Sequence, residues 1–236
     1  MKNILKFFII TIIVIHSSIV NALEYTSHIP ESPTKAMIIL HGWQQNGNSM
    51  HWLSTKFKIN FPDMAFFYPS GPEVSPNGGR QWFEIPIIGS QMAEQYMYDR
   101  MIKSALNNVD ELHALIDYIN KSLSIPYENI YISGFSQGGL MAILTALTSP
   151  NKISKVISFS GIPLIPSQYL DTSKINKNFN ILILQGDNDH VIPNDSYYLT
   201  QNYLKVLGFT PNVKVIKNLA HRINDVAIEY AIDFLK

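Results

Sequence analysis

The sequence predicts an α/β protein built on a mostly parallel sheet with helices on both faces. Two observations carry this. Short apolar segments alternate along the chain with longer stretches of helical periodicity. The apolar segments are continuous, so they suit strands buried on both faces rather than strands with one wet face. No repeat, heptad pattern or low-complexity linker interrupts the alternation.

Residues 36–40 form the first predicted strand, which ends at His41-Gly42. The next are 64–68, stopped by Pro69, then 129–133, 155–160, 180–184 and 213–216. Helices fall between them. From about 93 to 123 the pattern is helical, with Val109, Leu112, Leu115, Ile116 and Ile119 on one face. Residues 137–148 read as a small-residue helix ended by Pro150, 195–207 as a helix stopped at Gly208, and 224–235 as the last helix. Residues 69–89 and 161–178 read as loops. Both follow strands, and in a parallel sheet such loops surround the ligand crevice.

The length of 236 residues fits one domain of the larger α/β kind, placed at 23–236. Such a chain buries a core without disulfides or metal. Lysine plus arginine equals aspartate plus glutamate at 18 each, so no basic field recruits nucleic acid. The expected partner is a small or neutral molecule. The absence of cysteine removes disulfides, thiolate catalysis, cysteine-ligated zinc and lipoprotein-type acylation. No metal site is expected: His28, His51 and His113 show no ligand spacing and no HExxH pattern occurs.

Residues 1–22 read as a secretory signal peptide. Lys2 and Lys6 supply a positive start. Residues 7–15 are apolar apart from Thr11, and Val20-Asn21-Ala22 resembles a cleavage site. The apolar run is shorter than the roughly 20 residues a spanning helix needs. The mature protein is therefore expected to be exported, periplasmic or secreted.

The strongest local signal is Gly134-Phe135-Ser136-Gln137-Gly138-Gly139, between a predicted strand and a predicted helix. A serine at such a sharp turn needs small residues two before and two after it. The turn lifts the hydroxyl above the sheet and marks Ser136 as a nucleophile. A serine hydroxyl needs a base. Two histidines follow, His190 and His221. The order serine, acid, histidine along this kind of chain selects His221, between the last strand and last helix. His190 reads as a loop residue. The acid should leave the strand at 181–184, where Asp187 and Asp189 compete. Spacing does not decide between them; Asp189 is preferred. Its role is to hold one imidazole tautomer and to stabilise the imidazolium. The tetrahedral oxyanion needs N–H donors. These are expected from the backbone of Gln137 and from Trp43, in the loop after the first strand.

These pieces resemble the phospholipase/carboxylesterase family, which includes the acyl-protein thioesterases, within the α/β-hydrolase superfamily. The resemblance rests on Leu40-His41-Gly42, on Gly134 to Gly139, on Gly186-Asp187-Asn188-Asp189 with Val191-Ile192-Pro193 after it, and on His221. Gly79-Arg80-Gln81-Trp82-Phe83-Glu84 resembles the family's Trp-Phe segment. The resemblance covers about residues 33–236. It implies ester or thioester hydrolysis of acyl substrates without a cofactor; lysophospholipids share this chemistry and would bring transient contact with lipid. It also implies the second aspartate of the Gly186 loop as triad acid and the Trp43 N–H as oxyanion donor. The chain departs from the family pattern at Gln44, where a glycine is usual, at Glu84 for aspartate and at Ala220.

Trp82, Phe83 and Ile162 are the expected substrate-binding residues, walling an acyl pocket. Ile85, Ile87 and Ile88 extend one apolar patch, and Leu164 and Ile165 extend the other. Met92, Met97 and Met101 read as core fillers. Two other functions compete with ester hydrolysis. A serine peptidase of the same fold commonly carries an extra N-terminal domain, for which this chain has no room. A non-catalytic binding protein usually lacks a triad member, and none is missing here.

Overall fold

The apolar segments assemble into one seven-stranded sheet. This computed structural model describes residues 23–85, 94–193 and 195–236. The predicted signal peptide, Ile87, Ile88 and Met92 lie outside the described residues.

In chain order the main elements are β1 (Tyr25–His28), β2 (Lys35–Leu40), α1 (His51–Phe57), β3 (Met64–Pro69), β4 (Glu73–Val74), β5 (Arg80–Gln81), α2 (Glu94–Asn107) and α3 (Val109–Leu123). There follow β6 (Ile130–Phe135), α4 (Gln137–Thr148), β7 (Lys155–Phe159), β8 (Asn180–Gly186), α5 (Ser196–Val206), β9 (Asn212–Ile216) and α6 (Asp225–Leu235). The sheet order is β1-β3-β2-β6-β7-β8-β9. Only β1 runs antiparallel to its neighbour; the other pairings are parallel. β4 and β5 form a small separate hairpin inside the predicted 69–89 loop.

Side-chain alternation along β2 shows how the sheet divides two cores. Ala36, Ile38 and Leu40 join the core formed with α2, α3, α4 and α5. Met37 and Ile39 join the second core, with α1 and α6. α4 is buried at every position from Gln137 to Leu147, which explains why it is small and apolar all round. The strands of both cores end at one edge, and the loops leaving β2, β6, β8 and β9 meet there.

Three expectations change. The single helical stretch from 93 to 123 is two helices, broken at Asn108 (φ −108°, ψ 1°). Asn108 sits there because its side chain bonds elsewhere. Its amide donates to the Trp82 carbonyl at 2.7 Å and to Glu73 Oε1 at 3.0 Å. Besides the β4–β5 hairpin, two elements, β1 and α1, had no sequence signal. β1 is four residues long and mostly exposed, and α1 is seven residues with three buried positions.

Candidate active site

The β6–α4 junction is a sharp turn. Ser136 has φ 55° and ψ −115°, a strained conformation for a residue with a Cβ. A Cβ on Gly134 would come within 2.1 Å of the Gly138 carbonyl oxygen, so the strand and helix can cross only without it. Backbone bonds hold the turn from the far side. The Ser136 N–H donates to the Phe159 carbonyl at 2.9 Å, and the Ile162 N–H donates to the Ser136 carbonyl at 3.2 Å. The half-buried Ile162 therefore sits directly beside the serine.

His221 approaches from the β9–α6 loop. Its ring lies 4.7 Å from the ring of Phe135, the residue before the serine. Its Nδ1 lies 2.8 Å from Asp189 Oδ2. Since the carboxylate accepts, Nδ1 carries the proton and the Nε2 lone pair is left to take one.

Asp189, and not Asp187, meets the imidazole. The Asp189 side chain has no exposure. Its Oδ1 accepts from the Val191 and Ile192 N–H groups, both at 2.9 Å. Oδ2 also accepts from Gln185 Nε2 at 3.1 Å. Burial alone would raise its pKa, but hydrogen bonds from His221 and from the Ile192 and Val191 N–H groups hold the carboxyl below the usual range. Asp187 instead accepts from the Asn218 N–H at 2.6 Å, tying the β8 loop to the β9 loop that carries His221. His190 is exposed on its loop.

The loop after β2 comes close to the serine. A Cβ on Gly42 would lie 3.5 Å from the Ser136 Cβ, so the Gly42–Trp43 peptide borders Ser136. That peptide is clamped. The Gly42 carbonyl accepts from His41 Nδ1 at 2.7 Å and from the Gln45 N–H at 3.3 Å. In a trans peptide the N–H points opposite the C=O, so fixing this carbonyl fixes the direction of the Trp43 N–H. The Gly42 N–H is itself held by Gln45 Oε1 at 3.0 Å. The other ring nitrogen of His41, Nε2, accepts from the Gly71 N–H at 2.8 Å. Burial pushes the pKa of His41 down to about 4, so it stays neutral and keeps one donor and one acceptor. The partly exposed Trp43 indole donates to Gln81 Oε1 at 3.0 Å. Gln137, as the first residue of α4, has an N–H that no intrahelical carbonyl can accept.

Gln44 adopts φ 62°, the left-handed region that favours glycine. Its Nε2 is buried without a partner among the described residues. A glycine would adopt this backbone without strain and would leave no such amide.

Trp82 and Phe83 are not pocket walls in this conformation. Both are fully buried in the larger core. The Gln137 side chain grips them: its Oε1 accepts from the Trp82 N–H at 2.9 Å, and its Nε2 donates to the Phe83 carbonyl at 2.8 Å. The Trp82 indole donates to the His41 carbonyl at 2.9 Å. The two aromatics anchor the long loop instead of facing a substrate. The roles of His41, Gln45 and the Gln137 side chain had no motif of their own. His41 was visible only as half of the His41-Gly42 pair, read for its glycine.

An open groove of about 240 Å³ runs beside His221, between the β9–α6 loop and the β2 loop with the start of α1. Among the described residues no cluster of carboxylates and imidazoles could hold a metal ion.

Residues 26–236 match the family model described as Phospholipase/Carboxylesterase. The chain is 30% identical over 210 residues to a probable carboxylesterase SOBER1-like of Arabidopsis thaliana, covering 84% of this chain and 76% of that one. It is 29% identical over 220 residues to acyl-protein thioesterase 1 of Candida albicans, covering 87% and 92%. The crystal structure of Arabidopsis thaliana SOBER1 superposes with a TM-score of 0.72 at 25% identity, covering 85% of this chain and 97% of that one.

Proposed function

From the premise that this chain belongs to the phospholipase/carboxylesterase family and is a hydrolase of the α/β-hydrolase fold, we propose that it cleaves small acyl esters or thioesters through an acyl-enzyme on Ser136. The observation that carries the reading is the Asp189–His221 pair at 2.8 Å, packed on Phe135 next to the strained Ser136 turn.

In this reading Ser136 Oγ attacks the acyl carbonyl while His221 Nε2 takes the hydroxyl proton. The oxyanion receives the N–H groups of Trp43 and Gln137. Collapse expels the alcohol or thiol, which leaves with the proton from His221. Water then attacks the acyl-enzyme, giving its proton to His221, and the carboxylic acid departs with Ser136 restored. Asp189 stays ionised throughout and stabilises the imidazolium. Ile162, beside Ser136, borders the acyl group. The clamped Gly42–Trp43 peptide supports the oxyanion assignment, because its donor is oriented before substrate arrives.

The test uses purified protein on p-nitrophenyl esters from acetate to palmitate, beside Ser136→Ala. Turnover by the wild type with a loss of at least about a thousandfold in the variant supports the reading. Wild-type inactivity on every ester, without labelling by a fluorophosphonate, overturns it. Residues 1–22 further support export of the enzyme, so its substrate would lie beyond the cytosol. Fractionation of expressing cells tests this, and a wholly cytosolic protein of unprocessed length would remove it.

A further inference from the structure

The groove beside His221 has no role in the reading above, and its chemistry is specific. His221 is one of its walls. Because this imidazole must hand a proton to the departing oxygen or sulfur, the leaving group has to lie against it. Phe135, the residue before Ser136, and His221, packed on it at 4.7 Å, line the groove, whereas Ile162, which donates to the Ser136 carbonyl, does not.

The walls combine apolar side chains, the uncharged polar Gln45 and Ser49, and one charge. Met50, Trp52 and Phe135 supply the apolar part, and Trp52 is 44% exposed. Arg222, the residue after His221, is exposed on the rim and lines the same groove. Its guanidinium makes no ion pair among the described residues. Nearby carboxylates are engaged elsewhere: Asp189, which bonds His221, the residue before Arg222, and Asp225, three residues after it, which pairs with Lys56 at 2.8 Å. No carboxylate lines the groove among the described residues. An uncompensated guanidinium in a groove shared with aromatic side chains favours a planar or compact anion. A volume of about 240 Å³ limits the occupant to a compact group.

We propose that this groove is the leaving-group subsite, and that it selects esters whose alcohol or thiol carries a carboxylate or phosphate on a compact apolar body. The proposal rests on the ester-hydrolase reading of Ser136 and His221. Arg222 is its specificity-determining residue.

The experiment holds the acyl group constant. The butyrate esters of 4-hydroxybenzoate and of 4-hydroxybenzamide are nearly isosteric and differ in charge. Comparing each variant's ratio of kcat/KM for the two with the wild-type ratio cancels their intrinsic reactivities. Arg222→Gln should lower the benzoate-to-benzamide ratio about three- to tenfold, and Arg222→Glu should lower it further. Arg222→Lys should keep most of the ratio. In the wild type the ratio should fall as NaCl rises, as for a screened charge contact. A ratio that Arg222→Gln leaves unchanged, while the benzamide ester is still hydrolysed, overturns the subsite and spares the hydrolase reading. Hydrolysis of neither ester by the wild type overturns both.

Discussion

The side chain of Gln137 accepts a hydrogen bond from the Trp82 N–H at 2.9 Å and so couples the residue after Ser136 to a loop more than fifty positions earlier. With its second bond, to the Phe83 carbonyl, one amide satisfies two buried backbone groups and fixes the loop that braces His41. Gln137→Leu should therefore destabilise the fold by about 2–4 kcal/mol, because both backbone groups lose their partners in a dry site. Urea unfolding followed by tryptophan fluorescence measures this. A midpoint equal to wild type would mean the two bonds are replaced by water at no cost.

The two aspartates of the β8 loop should separate cleanly. Asp189→Asn can no longer accept the Nδ1 proton as a carboxylate, so kcat should drop by about 10³–10⁴. Asp187→Asn keeps an oxygen for the Asn218 N–H, and kcat should stay within about threefold of wild type. Steady-state kinetics on one p-nitrophenyl ester decides, and equal losses in both variants would contradict the assignment.

Stability should fall on the acid side because of His41. Its folded pKa of about 4 lies below the ordinary 6.5, so between these values the unfolded chain binds the extra proton. The stabilisation is complete above pH 6.5 and is lost as pH falls toward 4, on the order of 3 kcal/mol in all. Asp189, whose carboxyl sits below the usual range, adds its loss at still lower pH. Unfolding free energies measured from pH 7 to 4 should show this slope. His41→Asn should flatten it while lowering stability at pH 7. A slope unchanged by the substitution would assign the effect to other groups.

Gln44→Gly should stabilise the protein. The substitution relieves a left-handed backbone and removes a buried amide nitrogen without a partner, against a smaller entropic cost of glycine. The expected gain is about 1 kcal/mol, read as a higher midpoint in thermal or urea unfolding. A lower midpoint would show that the Gln44 side chain contributes packing that outweighs the strain.

The six parallel strands and the elbow were legible because their signals are local. Continuous apolar runs mark strands buried on both faces, and the spacing of Gly134 and Gly138 around Ser136 reflects a steric crossing with no other solution. The break at Asn108 was not legible, since α2 and α3 carry apolar residues at compatible spacing and the cause lies in Trp82 and Glu73, far away in sequence. The burial of Trp82 and Phe83 was hidden for the same reason. Two large aromatics in a glycine-rich loop suit a pocket wall and a loop anchor equally, and only the grip of Gln137 separates them. The pairing of His221 with Asp189 depends on how Val191 and Ile192 turn back over the carboxylate, which spacing along the chain does not encode.

The sheet's two outer strands also bear on how copies of the chain behave toward one another. The most apolar segments, β2, β3 and β8, have a strand on each side, so their backbone groups are already paired. What remains open is β1, four residues long and largely exposed, and β9, five residues long. β9 carries Lys214 midway, its ammonium 5.3 Å over the Tyr230 ring. Short borders with a charge on one of them make poor templates for strand addition. The folded protein should therefore resist edge-to-edge aggregation, and its aggregation hazard is confined to the time before β2 and β3 are enclosed.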